Sequence, residues 1–225
     1  MAATKATMNT EASPAKVRLT EELEGACTVL VVDPPWSYGR DTGRTRTAEH
    51  HYDTLGNNGA EVNRKTGAGI QAIIDATPVP RFAARDSHLY LWTTNPKLPF
   101  TFDVMRAWGF EYKTTLTWLK TKASGGVHGG GMGWFFRGAT EHVLFGVKGK
   151  KGIPSAMRKP NVILAQTGEH SEKPAEFYEL LRTLYPADER MVDLYARKTH
   201  ERFHAWGHEA PSNVGIEPPR SGRLE

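Results

Sequence analysis

Hydrophobic positions fall along this chain in short blocks, and their period changes from block to block. Thr28-Val29-Leu30-Val31-Val32 is an unbroken, β-branched run, which predicts a strand covered on both faces, as in parallel sheets. It stops at Asp33-Pro34-Pro35-Trp36. Ile70, Ile73 and Ile74 recur at helical spacing and predict a helix over 67–76. His88–Thr93 (HLYLWT) predicts a second strand. Asn95-Pro96 then reads as an N-cap and first helical position, opening a helix that runs to Trp108 and stops at Gly109. Strands follow over 114–119 and 142–147, separated by the loop Ser124–Gly138 with its seven glycines. Phe177, Leu180, Leu181 and Leu184 mark one face of a helix ending before Pro186, and Met191–Ala196 is a further strand. Strands alternating with helices predict an α/β fold whose mostly parallel sheet is flanked by helices. Residues 1–18 show no apolar period and read as a disordered arm. Residues 211–225 hold three prolines and two glycines and read as a flexible tail, which leaves 19–210 as one folded unit.

Composition narrows the class. A chain of 225 residues has room for one domain with a sizeable core. No apolar stretch approaches the ~20 residues of a membrane helix, and Met1–Lys16 lacks the apolar centre of a secretory signal. Cys27 is the one cysteine, which excludes a disulfide framework and a cysteine-based zinc site. These features together predict a cytoplasmic protein. The formal charge of +4 suits an anionic partner but carries little weight alone.

The sharpest chemical signal is Asp33-Pro34-Pro35-Trp36 directly after a buried strand, because open α/β sheets bind ligands beyond the carboxyl ends of their strands. An amine conjugated to a purine ring is a poor nucleophile, since its lone pair is delocalised. Two acceptors aimed at its N–H groups would draw it toward a tetrahedral shape. Asp33 supplies one through its carboxylate and Pro34 the other through its carbonyl. The prolines fix φ near −65° and have no N–H, so the turn is stiff. Trp36 offers a face for stacking. Read alone, the four letters also suit a plain proline turn with Trp36 in the core.

The flanking sequence argues against that plainer reading. The chain resembles the DPPW-type N6-adenine methyltransferases of the MT-A70 family, which includes the writers of methyladenosine in messenger RNA and many bacterial and phage proteins. The resemblance rests on DPPW at 33–36, HYDTL at 51–55, LYLWTTN at 89–95, WGFEYKTTLTWLKTK at 108–122, TEHVLFGVKG at 140–149, HSEKP at 170–174, DLYAR at 193–197 and WGHE at 206–209. It implies a Rossmann-like S-adenosylmethionine-dependent methyltransferase fold, permuted so that the catalytic motif precedes the cofactor motif. It places Asp33 and the prolines between cofactor and target amine, makes Trp36 and Tyr52 walls of the adenine pocket, and sets Glu141 against the substrate nucleotide. Lys173 would bind the cofactor's carboxylate, as a cation at a helix start favours an anion. Arg197, Thr199 and His200 would hold its ribose and amino-acid part, and His208 and Glu209 its adenosine. Family members often carry amides at those last two positions. DLYAR also departs from the usual Asp-x-Phe-x-Gly, with Arg197 in place of glycine.

Other features have competing readings. His200, His204 and His208 are spaced by four, but Trp206-Gly207 interrupts any helix there, so no metal is expected. Arg40, Arg44 and Arg46 follow the DPPW turn and suit either a solvated loop or phosphate contact, with Arg44 and Arg46 the candidate substrate contacts. The glycine-rich loop lacks the phosphate-loop pattern and reads as a substrate-facing loop. DNA is the favoured polymer, because the chain is short and lacks the Cys/His-rich fingers of RNA-directed relatives. RNA is the alternative. An inactive nucleic-acid-binding subunit is disfavoured by the presence of both Asp33 and Lys173. A membrane partner is not expected, and a homodimer is left open.

Overall fold

The computed structural model describes residues 20–36, 68–131, 133, 135–168, 172–207 and 214. Tyr52, Arg40, Arg44, Arg46, His208 and Glu209, the arm over 1–18 and nearly all of the tail therefore lie outside the described residues. In chain order the elements are β1 (Cys27–Val32), α1 (Ala68–Ala76), α2 (Val79–Phe82), β2 (Ala83–Thr93), α3 (Leu98–Ala107), β3 (Glu111–Thr121), β4 (Thr140–Lys148), β5 (Val162–Gln166), α4 (Ala175–Leu184), β6 (Met191–Leu194) and β7 (Phe203–Trp206).

The strands form one seven-stranded sheet in the order β5-β3-β4-β2-β1-β6-β7. β4 runs antiparallel to both of its neighbours, and every other pairing is parallel. This is the mostly parallel α/β sheet that the sequence predicts. Alternation along each inner strand explains why those runs are apolar throughout. In β1, Leu30 and Val32 face one core cluster, while Val29 and Val31 face the other. In β2, Leu89 and Leu91 take the first side and Tyr90 and Trp92 the second. The first cluster is closed by Ile73 of α1, Phe82 of α2 and Met105 of α3; the second is closed by Phe177 and Leu181 of α4. Each of those large side chains is at most 1% exposed, a burial worth roughly 1.5–3 kcal/mol apiece.

Three details differ from the sequence reading. The helix after β2 begins at Leu98, with Lys97 at the cap and Pro99 in its first turn. Asn95 is not its cap, because its amide is used across the sheet: Oδ1 meets His142 Nε2 at 2.9 Å and Nδ2 donates to Thr140 Oγ1 at 3.2 Å. β6 ends at Leu194 rather than Ala196, since Tyr195 turns the chain with a φ of 67°. Val214, placed in the expected free tail, is 3% exposed within the first core cluster, so the chain is docked at that point.

β1 lies between β2 and β6, which the chain reaches from opposite directions. The crevice outside the carboxyl ends of strands at such a reversal is where open α/β sheets bind ligands.

Candidate active site

Asp33 is the first residue after β1, and the turn it opens is fastened on both sides. Its N–H donates to the Leu194 carbonyl of β6 at 3.3 Å, and the Trp36 indole N–H donates to the Trp92 carbonyl of β2 at 3.1 Å. The Pro34 carbonyl is not left free as expected. It accepts the Trp36 backbone N–H at 2.8 Å, an i to i+2 closure of the γ-turn kind, which leaves one lone pair for another donor. Trp36 is also placed otherwise than the sequence suggests. It is 4% exposed and packed in the first core cluster, so its ring is a strut beneath the turn rather than an open stacking face. An indole both anchors a hydrogen bond and fills volume, which suits it to that place.

The charged centre joins four side chains from four elements. Lys173, just ahead of α4, sets its Nζ 3.1 Å from Asp33 Oδ2 and 2.9 Å from Glu141 Oε2. Glu141, on β4, also accepts from Lys120 Nζ of β3 at 2.6 Å. The two ammoniums each lie over an indole, Lys173 over Trp92 and Lys120 over Trp118, both 4.8 Å from the centroid. All four charged side chains are at most 20% exposed. Such burial is tolerable because every charge has a partner.

The same burial sorts the two carboxylates. Burial pushes the Asp33 carboxyl above its ordinary range; the Lys173 ammonium pulls against this, and Glu141 adds to the push. Burial would raise Glu141 too, but Lys173 and Lys120 together outweigh it and hold that carboxyl down at about 2. For Lys173, desolvation opposes the charge, yet Asp33 and Glu141 prevail and raise its affinity for the proton. Glu141 is thus held as an anion, while the Asp33 carboxyl is raised by burial against the pull of Lys173.

A cleft of about 320 Å³, part of it open to solvent, lies between the ends of β1 and β6. Asp33, Lys173, Arg197 and His200 line it, together with Tyr178, Asp193 and Tyr195, which the sequence reading did not single out. Tyr178 O–H donates to Asp193 Oδ2 at 2.8 Å, and its ring stacks on His200 with centroids 3.4 Å apart. Burial lifts the Asp193 carboxyl to about 7, with Tyr178 opposing the shift and Asp33 reinforcing it. Thr199 stands exposed beside this group. Gly207 lets β7 close on the turn after β6, since a Cβ there would meet the Ala196 carbonyl oxygen at 2.6 Å. Lys120, Trp92, Tyr178, Asp193 and Tyr195 are the residues here that the sequence reading did not single out. All but Tyr178 lay in quoted segments, Lys120 in WGFEYKTTLTWLKTK, Trp92 in LYLWTTN and Asp193 and Tyr195 in DLYAR.

The profile of the MT-A70 family matches residues 27–209. The chain is 29% identical over 234 residues to the Type II methyltransferase M.MunI of Mycoplasma sp, covering 98% of this chain and 93% of that one. It is 26% identical over 174 residues to an N(6)-adenosine-methyltransferase MT-A70-like protein of Drosophila melanogaster, covering 77% of this chain and 25% of the relative. With the N(6)-adenosine-methyltransferase catalytic subunit METTL3 of Homo sapiens it shares 27% over 174 residues, again 77% of this chain and 26% of the other. It spans about a quarter of the length of those two longer relatives. From the first residue of β1 to just past β7, the chain belongs to the MT-A70 family.

Proposed function

We propose that this methyltransferase moves the methyl group of S-adenosylmethionine onto the exocyclic amine of adenine in nucleic acid, with DNA as the polymer. The observation that carries the reading is the Asp33 carboxylate at the carboxyl end of β1, held by Lys173 in the lining of the cleft. Full-length similarity to a Type II methyltransferase favours DNA over RNA.

The cleft suits a zwitterionic, aromatic cofactor. It presents Lys173 and Arg197 beside Asp33, and flat rings at Tyr178 and His200. Trp92 Nε1 in its lining is buried with no hydrogen-bond partner among the described residues, and such a group calls for a ligand or an ordered water. S-adenosylmethionine supplies an electrophilic methyl group on a sulfonium. An ammonium has three donors, and Lys173 spends two on Asp33 and Glu141; the third serves the cofactor's carboxylate. Arg197, Thr199, His200, His208 and Glu209 complete its binding. Asp33 accepts one N–H of the target amine and the second lone pair of the Pro34 carbonyl accepts the other. The amine then meets the methyl group with its lone pair free, and orientation supplies much of the rate. Glu141 keeps Lys173 charged and in place and lies beside the substrate nucleotide. Tyr52 walls the base, and Arg44 and Arg46 hold the neighbouring phosphates.

The test is transfer of a labelled methyl group to DNA and RNA oligonucleotides of one sequence, with the product read by mass spectrometry of the nucleosides. N6-methyladenine in DNA is the expected product; label on RNA alone, or on another base, overturns the reading.

A further inference from the structure

The loop between β3 and β4 carries the most exposed large apolar side chains of the described residues. Phe135 is 96% exposed and Phe136 90%. Two adjacent phenylalanines held in water cost free energy that packing elsewhere does not return, so their placement calls for a reason outside the fold. The loop's path holds them there. A Cβ at Gly131 would run into the Gly138 carbonyl, and one at Gly133 into the Phe136 carbonyl. The two arms therefore pinch together behind the phenylalanines, and only glycine permits that approach.

The loop leaves the sheet beside the charged centre. Trp118 is paired with Glu141 in the β3–β4 register, and the Lys120 N–H donates to the Ala139 carbonyl at 2.8 Å. Thr93 of β2 pairs with His142, so this edge of β4 is the edge from which Asp33 projects at the end of β1. From Lys120 to Thr140 the sequence holds Lys120, Lys122, His128 and Arg137 and no acidic residue. An apolar aromatic pair on a cationic loop matches a stack of bases on a polyanionic backbone.

We infer that Phe135 and Phe136 enter the base stack of duplex DNA next to the target adenine and occupy the space it leaves on swinging into the cleft. This rests on the proposed methylation of adenine in DNA. Acceptors for both amine hydrogens cannot reach an adenine that is paired and stacked, so the base must leave the helix. The wedge acts on that opening and on nothing after it, so its contribution depends on how firmly the adenine is paired.

The test is the variant Phe135→Ala with Phe136→Ala. Both side chains are exposed, so the fold and the cofactor affinity stay as in the wild type. Methylation is measured on one sequence as matched duplex, as duplex with a mismatch opposite the target, and as single strand. The expected result is a fall in kcat/KM of about tenfold or more on the matched duplex and less than threefold on the other two. In parallel, 2-aminopurine at the target position brightens on binding of the wild type and stays dark with the variant. Equal losses on all three substrates, or none on the matched duplex, overturn the wedge while the wild-type activity leaves the functional reading standing. A wild type that methylates none of the three overturns both.

Discussion

The Lys173 ammonium stands 3.1 Å from Asp33 Oδ2 and bonds Glu141 on its other side, so one cation just ahead of α4 ties the end of β1 to the start of β4. Lys173→Met would strip the buried Asp33 carboxylate of its Lys173 ion pair and leave Glu141 with Lys120. A lost charge-assisted hydrogen bond is worth about 1.5–3 kcal/mol, or roughly ten- to a hundredfold in affinity, and calorimetry with the cofactor should show a rise in Kd of that order. The Asp33 carboxyl, already raised by burial, would lose the main group opposing that rise. In the proposed reaction the ionised carboxylate is the stronger acceptor for the amine N–H, so the acid limb of the rate–pH profile should move to higher pH. Lys173→Arg, which keeps the charge, should restore the limb in part. An unchanged Kd together with an unchanged acid limb would remove Lys173 from the site.

Trp36 separates packing from stacking. Its ring is 4% exposed and its indole N–H is bonded to Trp92. Trp36→Phe keeps an aromatic face but loses that bond, which costs about 1 kcal/mol plus the price of an unpaired carbonyl. Trp36→Ala should cost about 3–5 kcal/mol as a core deletion. Urea unfolding should show both losses, with the Phe variant's KM for oligonucleotide unchanged. A stable Phe variant whose oligonucleotide KM rises tenfold would return Trp36 to the base-stacking role.

Much of this was legible in the sequence, and what was not has identifiable causes. β1, the inner part of β2 and the apolar stripe of α4 announce themselves because both faces of the sheet are covered. β5 was missed although Val162-Ile163-Leu164-Ala165 is a short apolar run like that of β1; in the fold its exposure alternates, and Leu164 stands 63% exposed. β2 and β3 run longer than their apolar cores because Arg85, Asp86, Glu111 and Lys113 extend them into solvent. At the site, Asp33, Glu141 and Lys173 each carried a signal of its own. Nothing local showed that they form one ion cluster, since it is assembled across 140 residues by the sheet order. Trp36 could not be placed from sequence because a tryptophan after a turn suits a wall or a strut equally, and the bond of its indole N–H to the Trp92 carbonyl is visible only in the fold.

Asp193 gives the structure a pH signature. Its carboxyl is raised from 3.8 to about 7, so between those values the folded state binds more protons than the unfolded chain. Its contribution is fully present below pH 4 and is lost as pH rises to about 7. Asp193→Asn mimics the neutral form and should flatten the dependence of Tm on pH between 4 and 7. An identical slope in the variant would mean that Asp193 titrates as an ordinary carboxyl.

The most direct test of the central claim is the single-turnover rate of methyl transfer by Asp33→Asn on an oligonucleotide that the wild type methylates. Asparagine keeps the size of the side chain and removes the charge that pairs with Lys173 and that, in the proposed reaction, accepts the amine N–H. A positioned acceptor acting in the transition state contributes about 10²–10⁴-fold. The rate should therefore fall by at least about a hundredfold, with the variant still folded by circular dichroism and still binding the oligonucleotide. A folded variant that transfers methyl groups within a few-fold of the wild-type rate would contradict the account, leaving Asp33 as a structural partner of Lys173.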